Sequence, residues 1–346
     1  MSDTVRIVIR GTNWLGDSVI TIPAVRALRA LFPGSPITML APEYLAGLWE
    51  QEGSVDRVLP VPRPARLRDA RALLAALRRD RYDLGVLFPN SFSSALLFFL
   101  GGVRARLGYA TDGRSLLLTS RVPEAAAAGH QVHRYLALVR TLGPVEAEPR
   151  PVLRVPESLL AWADTLLRGR GIAPGRTIVG LNAGSTYGEA KCWPPERFAA
   201  LARMLRDRCG AAIVAVGGPP ERERAETVCA PLGPDALNTA GETTVMQCAA
   251  LARRCAVFVS NDTGPMHLAA AVGTPVVAII GPTDPGTTGP IGEHVIVRRE
   301  TACAPCLKRR CPTDHRCMIS ITVEEVFDAV QQLMEKSQIP NFKALV

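Results

Sequence analysis

The sequence predicts an α/β protein with two Rossmann-like, doubly wound domains facing a cleft. Two observations support this prediction. Short apolar segments of strand length alternate with helical patterns, as in parallel sheets that helices cover on both faces. Within residues 143–156 four prolines interrupt that alternation, and the same pattern then starts again. We therefore predict an N-terminal domain over residues 1–150 and a C-terminal domain over residues 151–346.

Each half has its own series of predicted elements. In the first half the predicted strands cover residues 5–10, 37–40, 58–61 and 84–88, and the helices cover residues 17–32 and 66–79. In the second half the predicted strands cover residues 177–182, 212–216, 255–259 and 274–280. Ligands of open α/β sheets bind beyond the carboxyl ends of the strands, so the loops at those ends are the candidate sites.

Composition and charge limit the class of protein. Hydrophobic residues make up 47% and charged residues 21% of the 346 residues, which is typical of a globular protein. The longest apolar run, residues 95–103, is far shorter than the roughly 20 residues that a membrane span needs. Because the N-terminus also lacks a secretory pattern, we expect a cytoplasmic protein that docks on a membrane at most peripherally.

The net positive charge is concentrated in the first half. The first 150 residues hold 19 basic and 13 acidic side chains, which favours an anionic partner there. Only four of the 40 basic residues are Lys, so a general bias toward Arg explains the charge equally well.

The segment 260–267 (SNDTGPMH) has the pattern of a phosphate site between a strand and a helix. Asp262 or Thr263 is placed to cap the helix, and Gly264 lets a ligand approach the backbone. The first N–H groups and the helix dipole favour a pyrophosphate, and His267 lies one turn further on. The alternative is an ordinary helix cap followed by a buried histidine.

Two further strand ends carry polar residues that suit a nucleotide sugar. Segment 183–194 (AGSTYGEAKCWP) offers the hydroxyls of Ser185 and Thr186 and the charge of Lys191, which suit a departing diphosphate. Segment 217–223 (GGPPERE) offers carboxylates for ribose hydroxyls, although a glutamate at a helix start is commonly just a favourable charge.

The first half carries a candidate general base. Segment 11–17 (GTNWLGD) is neither a G-x-G-x-x-G fingerprint nor a Walker loop. Asp17 is either the N-cap of the first helix or a base that takes a proton from an acceptor hydroxyl.

The first half also contains a basic amphipathic tract, further along the chain. Its arginine-rich face either meets anionic headgroups or is simply solvated. The arginines of the tract are Arg63, Arg66, Arg68, Arg71, Arg78, Arg79 and Arg81.

Together, segments 13–19 (NWLGDSV), 191–194 (KCWP) and 260–267 resemble the ADP-heptose:lipopolysaccharide heptosyltransferase family in order and spacing. Within that family the chain is most like the heptosyltransferase II group. The resemblance implies a glycosyltransferase-B architecture, with acceptor binding in the first half and ADP-heptose binding in the second. It also implies an inverting transfer, without metal or cofactor, onto the inner-core heptose of lipopolysaccharide. The implied partners are ADP-heptose and an anionic lipopolysaccharide acceptor at the cytoplasmic face of the inner membrane.

The resemblance also implies roles for single residues. Asp17 resembles the catalytic base, and Glu223 resembles a ribose ligand. The residues that resemble contacts to the diphosphate or the sugar are Lys191, Ser185, Thr186, Asp262, Thr263, Gly264 and His267.

Several alternatives remain open at this point. Cys303, Cys306, Cys311 and Cys317, with His315 nearby, would suffice for a structural zinc or iron–sulfur site, although their spacing is not that of a standard finger. A nicotinamide-dependent sugar-nucleotide epimerase would need the missing G-x-G-x-x-G motif. A nucleic-acid binder would need stacking aromatics, but the basic tract has only Tyr82, at its end. Heptosyltransferase I or a later core heptosyltransferase also fits, because loops determine the acceptor.

Overall fold

The computed structural model describes residues 4–62, 67–124 and 129–338, and the chain falls into two compact units, Met1–Pro151 and Val152–Val346. The division lies within the proline-rich segment 143–156. Two arginines of the predicted basic tract, Arg63 and Arg66, lie outside the described residues.

The first unit contains one parallel six-stranded sheet. Its strands are β1 (Ile7–Arg10), β2 (Ile37–Pro42), β3 (Arg57–Val61), β4 (Leu84–Leu87), β5 (Ala105–Tyr109) and β6 (Ser120–Val122). Its α-helices are α1 (Leu15–Leu31), α2 (Ala46–Glu52), α3 (Leu67–Asp80), α4 (Phe92–Leu100) and α5 (Gln131–Arg140).

The second unit contains another parallel six-stranded sheet. Its strands are β7 (Ile178–Asn182), β8 (Ala212–Ala215), β9 (Ala236–Asn238), β10 (Val257–Asn261), β11 (Val276–Ile280) and β12 (His294–Arg298). Its α-helices are α6 (Glu157–Gly169), α7 (Pro195–Cys209), α8 (Arg222–Cys229), α9 (Val245–Arg254), α10 (Gly264–Ala271), α11 (Pro285–Thr288), α12 (Arg316–Ile319) and α13 (Val323–Gln338).

Both sheets have the same strand order. The first runs β3-β2-β1-β4-β5-β6 and the second runs β12-β11-β10-β7-β8-β9, so each has the 3-2-1-4-5-6 order of a Rossmann sheet. The central strands are buried on both faces, which explains why segments such as β10 are apolar along their length rather than alternating. The predicted α/β class with two doubly wound sheets is confirmed.

The strands that the sequence analysis did not predict are β5, β6, β9 and β12. The first two include exposed or partly exposed arginines, and β9 has three residues. Strand β12 is a sheet edge in which no residue is buried. Within the described residues, no helix is both long and apolar enough to cross a bilayer.

Candidate functional site

The candidate donor site lies where the strand order of the second sheet reverses. β7 and β10 are neighbours there, and Asn182 at the end of β7 lies opposite Ser260 of β10. Because parallel strands end at the same edge of the sheet, the loops that follow them emerge side by side. A doubly wound sheet binds its ligands in the crevice at this switch point.

A charged cluster joins these two loops. Lys191 Nζ lies 2.7 Å from Asp262 Oδ2, and the same oxygen accepts a hydrogen bond from Thr283 Oγ1 at 2.5 Å. The side chain of Lys191 is only 12% exposed and that of Asp262 is 4% exposed, so both charges are largely removed from water. An ammonium has three N–H donors, so its bond to Asp262 leaves donors for a second anion.

The two loops are held together by a buried amide that the sequence analysis missed. Asn261 is fully buried, and its Oδ1 accepts a hydrogen bond from the backbone N–H of Trp193 at 3.0 Å. Its Nδ2 donates to the carbonyl of Gly184 at 3.2 Å. Asn261 therefore connects the end of β10 to both ends of the Lys191 loop, which we define as residues 183–194.

The predicted cap position is confirmed, but the predicted side-chain cap is not. Thr263 is the N-cap of α10, and its side chain makes no capping hydrogen bond. Asp262, the other candidate, instead binds Lys191, 71 residues earlier, and Thr283, 21 residues later. Gly264 begins the helix and Pro265 follows, as expected for a first turn, where the missing N–H of a proline costs no helical hydrogen bond. His267 is buried in the same helix, with 7% of its surface exposed.

The two predicted hydroxyls lie at different depths. Ser185 Oγ is buried, and it has no hydrogen-bond partner in the part of the chain that the structure describes. Because a buried hydroxyl without a partner is costly, this oxygen is suited to bond a ligand. Thr186, the next residue, is exposed.

At the end of β8 the carboxylate nearest the site is Glu221, not Glu223. Glu221 Oε2 accepts a hydrogen bond from the N–H of Gly218 at 2.7 Å, and a Cβ at Gly184 would overlap the Glu221 carboxylate. Burial raises the pKa of Glu221 above its ordinary value of 4.5, although the Gly218 N–H and Arg224 act in the opposite direction. Glu223 lies exposed in the first turn of α8. Both residues belong to the predicted 217–223 segment, but the turn after β8 directs Glu221 toward Gly184.

The first unit places Asp17 at its own switch point. β1 and β4 are neighbours there, and α1 begins at Leu15, so Asp17 is the third residue of the helix. The N-cap is Trp14, so the alternative that Asp17 is the N-cap is wrong. Burial, and next the charge of Asp17, raise the pKa of Tyr135. Tyr135 contacts Phe88 just after β4, with the ring centroids 5.3 Å apart.

A fully buried arginine fixes the loop after β4. The guanidinium of Arg114 donates to Asn90 Oδ1 at 3.2 Å and to the carbonyls of Tyr109 and Pro89. Burial lowers the pKa of Arg114 to about 10, with Asp112 acting in the opposite direction. The sequence does not single out Arg114, because nothing in its local pattern distinguishes it from the other arginines.

The clustered cysteines line a cavity of about 170 Å³ behind the Lys191 loop, together with His315 and Ala190. All of the described cysteines are free thiols. Across residues 4–62, 67–124 and 129–338, no three His, Cys, Asp or Glu side chains are arranged to hold a metal ion.

Comparisons with known proteins identify the family. The family model "Glycosyltransferase family 9 (heptosyltransferase)" matches residues 70–316. The chain belongs to glycosyltransferase family 9. It is therefore an enzyme that transfers a sugar, and the epimerase and nucleic-acid alternatives gain no support.

Several relatives match along nearly the whole chain. Lipopolysaccharide heptosyltransferase 2 of Escherichia coli is 30% identical over 95% of this chain and 98% of its own. The solved structure of E. coli ADP-heptose lps heptosyltransferase II has a TM-score of 0.82 and 28% identity, over 96% of this chain and 100% of its own. Lipopolysaccharide heptosyltransferase 1 of E. coli is more distant, at 27% identity over 85% of this chain and 93% of its own.

Proposed function

We propose that this glycosyltransferase moves heptose from ADP-heptose onto the inner-core heptose of lipopolysaccharide, which is the activity of a heptosyltransferase II. The observation that carries the proposal is the cluster of Lys191, Asp262 and Thr283 at the switch point of the second sheet. It puts a cation beside a helix start, where a diphosphate binds well. Relatives named heptosyltransferase 2 match nearly the whole chain, which supports this acceptor over that of heptosyltransferase I.

In this proposal the second unit binds the donor. Lys191 and Ser185 Oγ contact the diphosphate, and the exposed hydroxyl of Thr186, the residue after Ser185, contacts it from the solvent side. Thr263, Gly264 and His267 bring the start of α10 to the phosphates and the sugar. Asp262 holds the lysine through the 2.7 Å ion pair. We assign the ribose hydroxyls to Glu221 in preference to Glu223, because the Glu221 carboxylate lies against Gly184 at the same sheet edge.

The chemistry follows from these assignments. Asp17 takes the proton of the acceptor hydroxyl, whose oxygen then attacks the anomeric carbon of the heptose. The bond from that carbon to the diphosphate oxygen breaks on the opposite face, so the configuration inverts and ADP leaves. Charge grows on the diphosphate as this bond breaks. Lys191, the Ser185 hydroxyl and the positive end of the α10 helix dipole stabilise that charge without a metal.

The decisive experiment offers the purified enzyme ADP-heptose and defined inner-core acceptors that carry zero, one or two heptoses. We expect product with the one-heptose acceptor. Product with only the zero-heptose acceptor would assign the chain as a heptosyltransferase I. Product with only the two-heptose acceptor would assign it as a later core enzyme.

We also propose that the first unit docks peripherally on the cytoplasmic face of the inner membrane, where a lipid-linked acceptor would be presented. The basis is an apolar stripe on α4. Phe92, Phe99 and Leu100 are 45%, 48% and 42% exposed, and their spacing places them on one face of the helix. Leu116 nearby is 86% exposed. Contiguous exposed apolar surface of this kind commonly marks an interaction site.

The charge around the stripe suits an anionic lipid surface. The Arg106 guanidinium lies 5.4 Å from the centroid of the Phe99 ring, and Arg78 Nε donates to the carbonyl of Leu100 at 2.9 Å. Apolar side chains flanked by arginines are the usual composition of a surface that binds anionic membranes. By contrast, Arg68 and Arg79 of the predicted basic face each contact the aspartate that follows them.

Sedimentation with vesicles that contain anionic phospholipid tests the stripe. Phe99→Ser and Leu116→Ser should weaken vesicle binding, whereas Ile319→Ser, at a residue 42% exposed in the second unit, should not. Transfer to a soluble, lipid-free acceptor should be unaffected in all three. Vesicle binding that is unchanged in Phe99→Ser and Leu116→Ser would contradict the proposal.

A further inference from the structure

The segment that carries three of the four clustered cysteines contacts the Lys191 loop directly. We define this cysteine segment as residues 301–315, between β12 and α12; the fourth cysteine, Cys317, lies in α12. Tyr187 of the loop donates its hydroxyl hydrogen to the carbonyl of Leu307 at 2.7 Å. The Ala190 N–H donates to the carbonyl of Arg309 at 3.1 Å. The two segments are therefore joined by hydrogen bonds, although they are more than a hundred residues apart in the chain.

His315 completes the contact on the other side of Ala190. Its Nε2 lies 2.8 Å from the Ala190 carbonyl oxygen, which can only accept, so Nε2 carries the hydrogen. Both backbone polar groups of Ala190, the residue immediately before Lys191, are thus bonded to the cysteine segment. This fixes the position from which the lysine side chain extends.

Tyr187 has a second contact that reaches the lysine itself. Lys191 Nζ lies 4.8 Å from the centroid of the Tyr187 ring, within the range of a cation–π interaction. The guanidinium carbon of Arg309 lies 5.5 Å from the same centroid. The ring therefore contacts the ammonium, while its hydroxyl is anchored to the cysteine segment.

The backbone at these contacts is unusual. Leu307 and His315 have positive φ angles of 54° and 57° although neither is a glycine. Gly188 has φ of 155°, and the backbone of Arg309 leaves no room there for a Cβ. Sparsely populated backbone angles persist where the surrounding structure holds them, and they concentrate near functional sites.

We propose that Tyr187 and His315 are positioning residues for the transfer. Through them the cysteine segment holds the Lys191 loop in the conformation in which Lys191 and Ser185 meet the donor diphosphate. The inference rests on the proposed role of Lys191 in donor binding. In this proposal the cysteine segment holds the Lys191 loop in place through hydrogen bonds, and this role requires neither a metal nor a disulfide.

Paired variants of the full chain test this role. His315→Ala removes the bond to Ala190, and His315→Gln retains an N–H donor. Tyr187→Phe removes the bond to Leu307 but leaves the ring beside the lysine. We expect His315→Ala to raise the KM for ADP-heptose and the Kd for ADP about tenfold, with KM for the acceptor unchanged, because displaced binding groups lose much of their effect. His315→Gln should recover most of that loss, and Tyr187→Phe should show a smaller rise. His294→Ala, in the exposed strand β12, is the matched control and should resemble the parent enzyme.

Isothermal titration with ADP separates positioning from folding. A positioning role changes Kd while about one ADP still binds per chain. In His315→Ala, a lower stoichiometry with unchanged Kd would mean that less of the protein folds, which is a structural role and not a positioning role. Unchanged Kd for ADP in both His315→Ala and Tyr187→Phe would overturn the proposal. In a Lys191→Met background, His315→Ala should raise the Kd for ADP by less than it does in the parent, since only the Ser185 contact then remains to be displaced. If Lys191→Met alone leaves ADP binding intact, the proposed donor site itself fails, which is a different result.

Discussion

Replacing Lys191 by methionine removes the ammonium that neutralises Asp262 and keeps a side chain of similar length. The Asp262 carboxylate then stays 4% exposed, with the Thr283 hydroxyl as its remaining side-chain partner. Breaking a buried ion pair by removing one partner costs about 3–5 kcal/mol, and the 12% exposure of Lys191 places this case near 3 kcal/mol. For a unit of this size the melting temperature should fall by about 6–12 °C.

A second substitution separates this structural cost from a role in binding. Asp262→Asn in the Lys191→Met chain removes the unpaired charge and keeps the shape, so most of the lost stability should return. Affinity for ADP should not return, because the double variant still lacks the cation. Thermal denaturation followed by calorimetric titration with ADP measures both quantities on the same samples.

Two results would contradict this reasoning. Recovery of ADP binding in the double variant would show that Lys191 serves only to neutralise Asp262. A loss of stability below about 0.5 kcal/mol in Lys191→Met would show that the pair behaves as an ordinary surface salt bridge.

Three further predictions concern the surrounding residues. Asp17→Asn should lower kcat by at least about a hundredfold and leave the Kd for ADP unchanged, because a base assists proton transfer and does not bind the donor. If a steady-state assay shows that turnover is retained, Asp17 is not the catalytic base. Gly184→Ala should weaken ADP binding in titration, since its Cβ would displace the Glu221 carboxylate. The control is Gly210→Ala, which should lower stability alone, because the surroundings of Gly210 are open but its φ is positive. Burial raises the pKa of Glu221 in the folded chain, so its contribution to stability is greatest below the ordinary value of 4.5 and is lost as the pH rises through the raised value. Urea denaturation should therefore show Glu221→Gln gaining stability relative to the parent as the pH rises above 4.5; a constant difference would mean that the pKa of Glu221 is the same in the folded and the unfolded chain.

Sequence patterns predicted those parts of the fold that depend on short stretches of chain. The central strands β1, β4, β7 and β10 were predictable because burial on both faces requires apolar residues throughout. The edge strand β12 was missed because its partly exposed positions carry no such pattern.

The candidate site was predictable only in outline. The sequence predicted that Lys191 lies in the loop after β7 and Asp262 directly after β10, as the structure shows. It did not predict their contact, since that contact joins residues 71 positions apart. Asp262 was assigned to a helix cap because local reasoning offers a nearby N–H as its partner. The sequence could not show that the Glu221 carboxylate lies against Gly184 while Glu223 is exposed, because the direction of a side chain after a turn depends on backbone angles that residue types do not determine.

The contacts between the cysteine segment and the Lys191 loop have a consequence for protein engineering. Leu307 and Arg309 take part through their backbone carbonyls, and Ala190 takes part through its own backbone groups. None of these hydrogen bonds involves a sulfur atom, and Cys303 is exposed, so its thiol is open to replacement. A chain with serine at Cys303 should therefore keep the hydrogen bonds to the loop, whereas Cys311 should be left in place because its sulfur is bonded to Thr313 and to the backbone of His315.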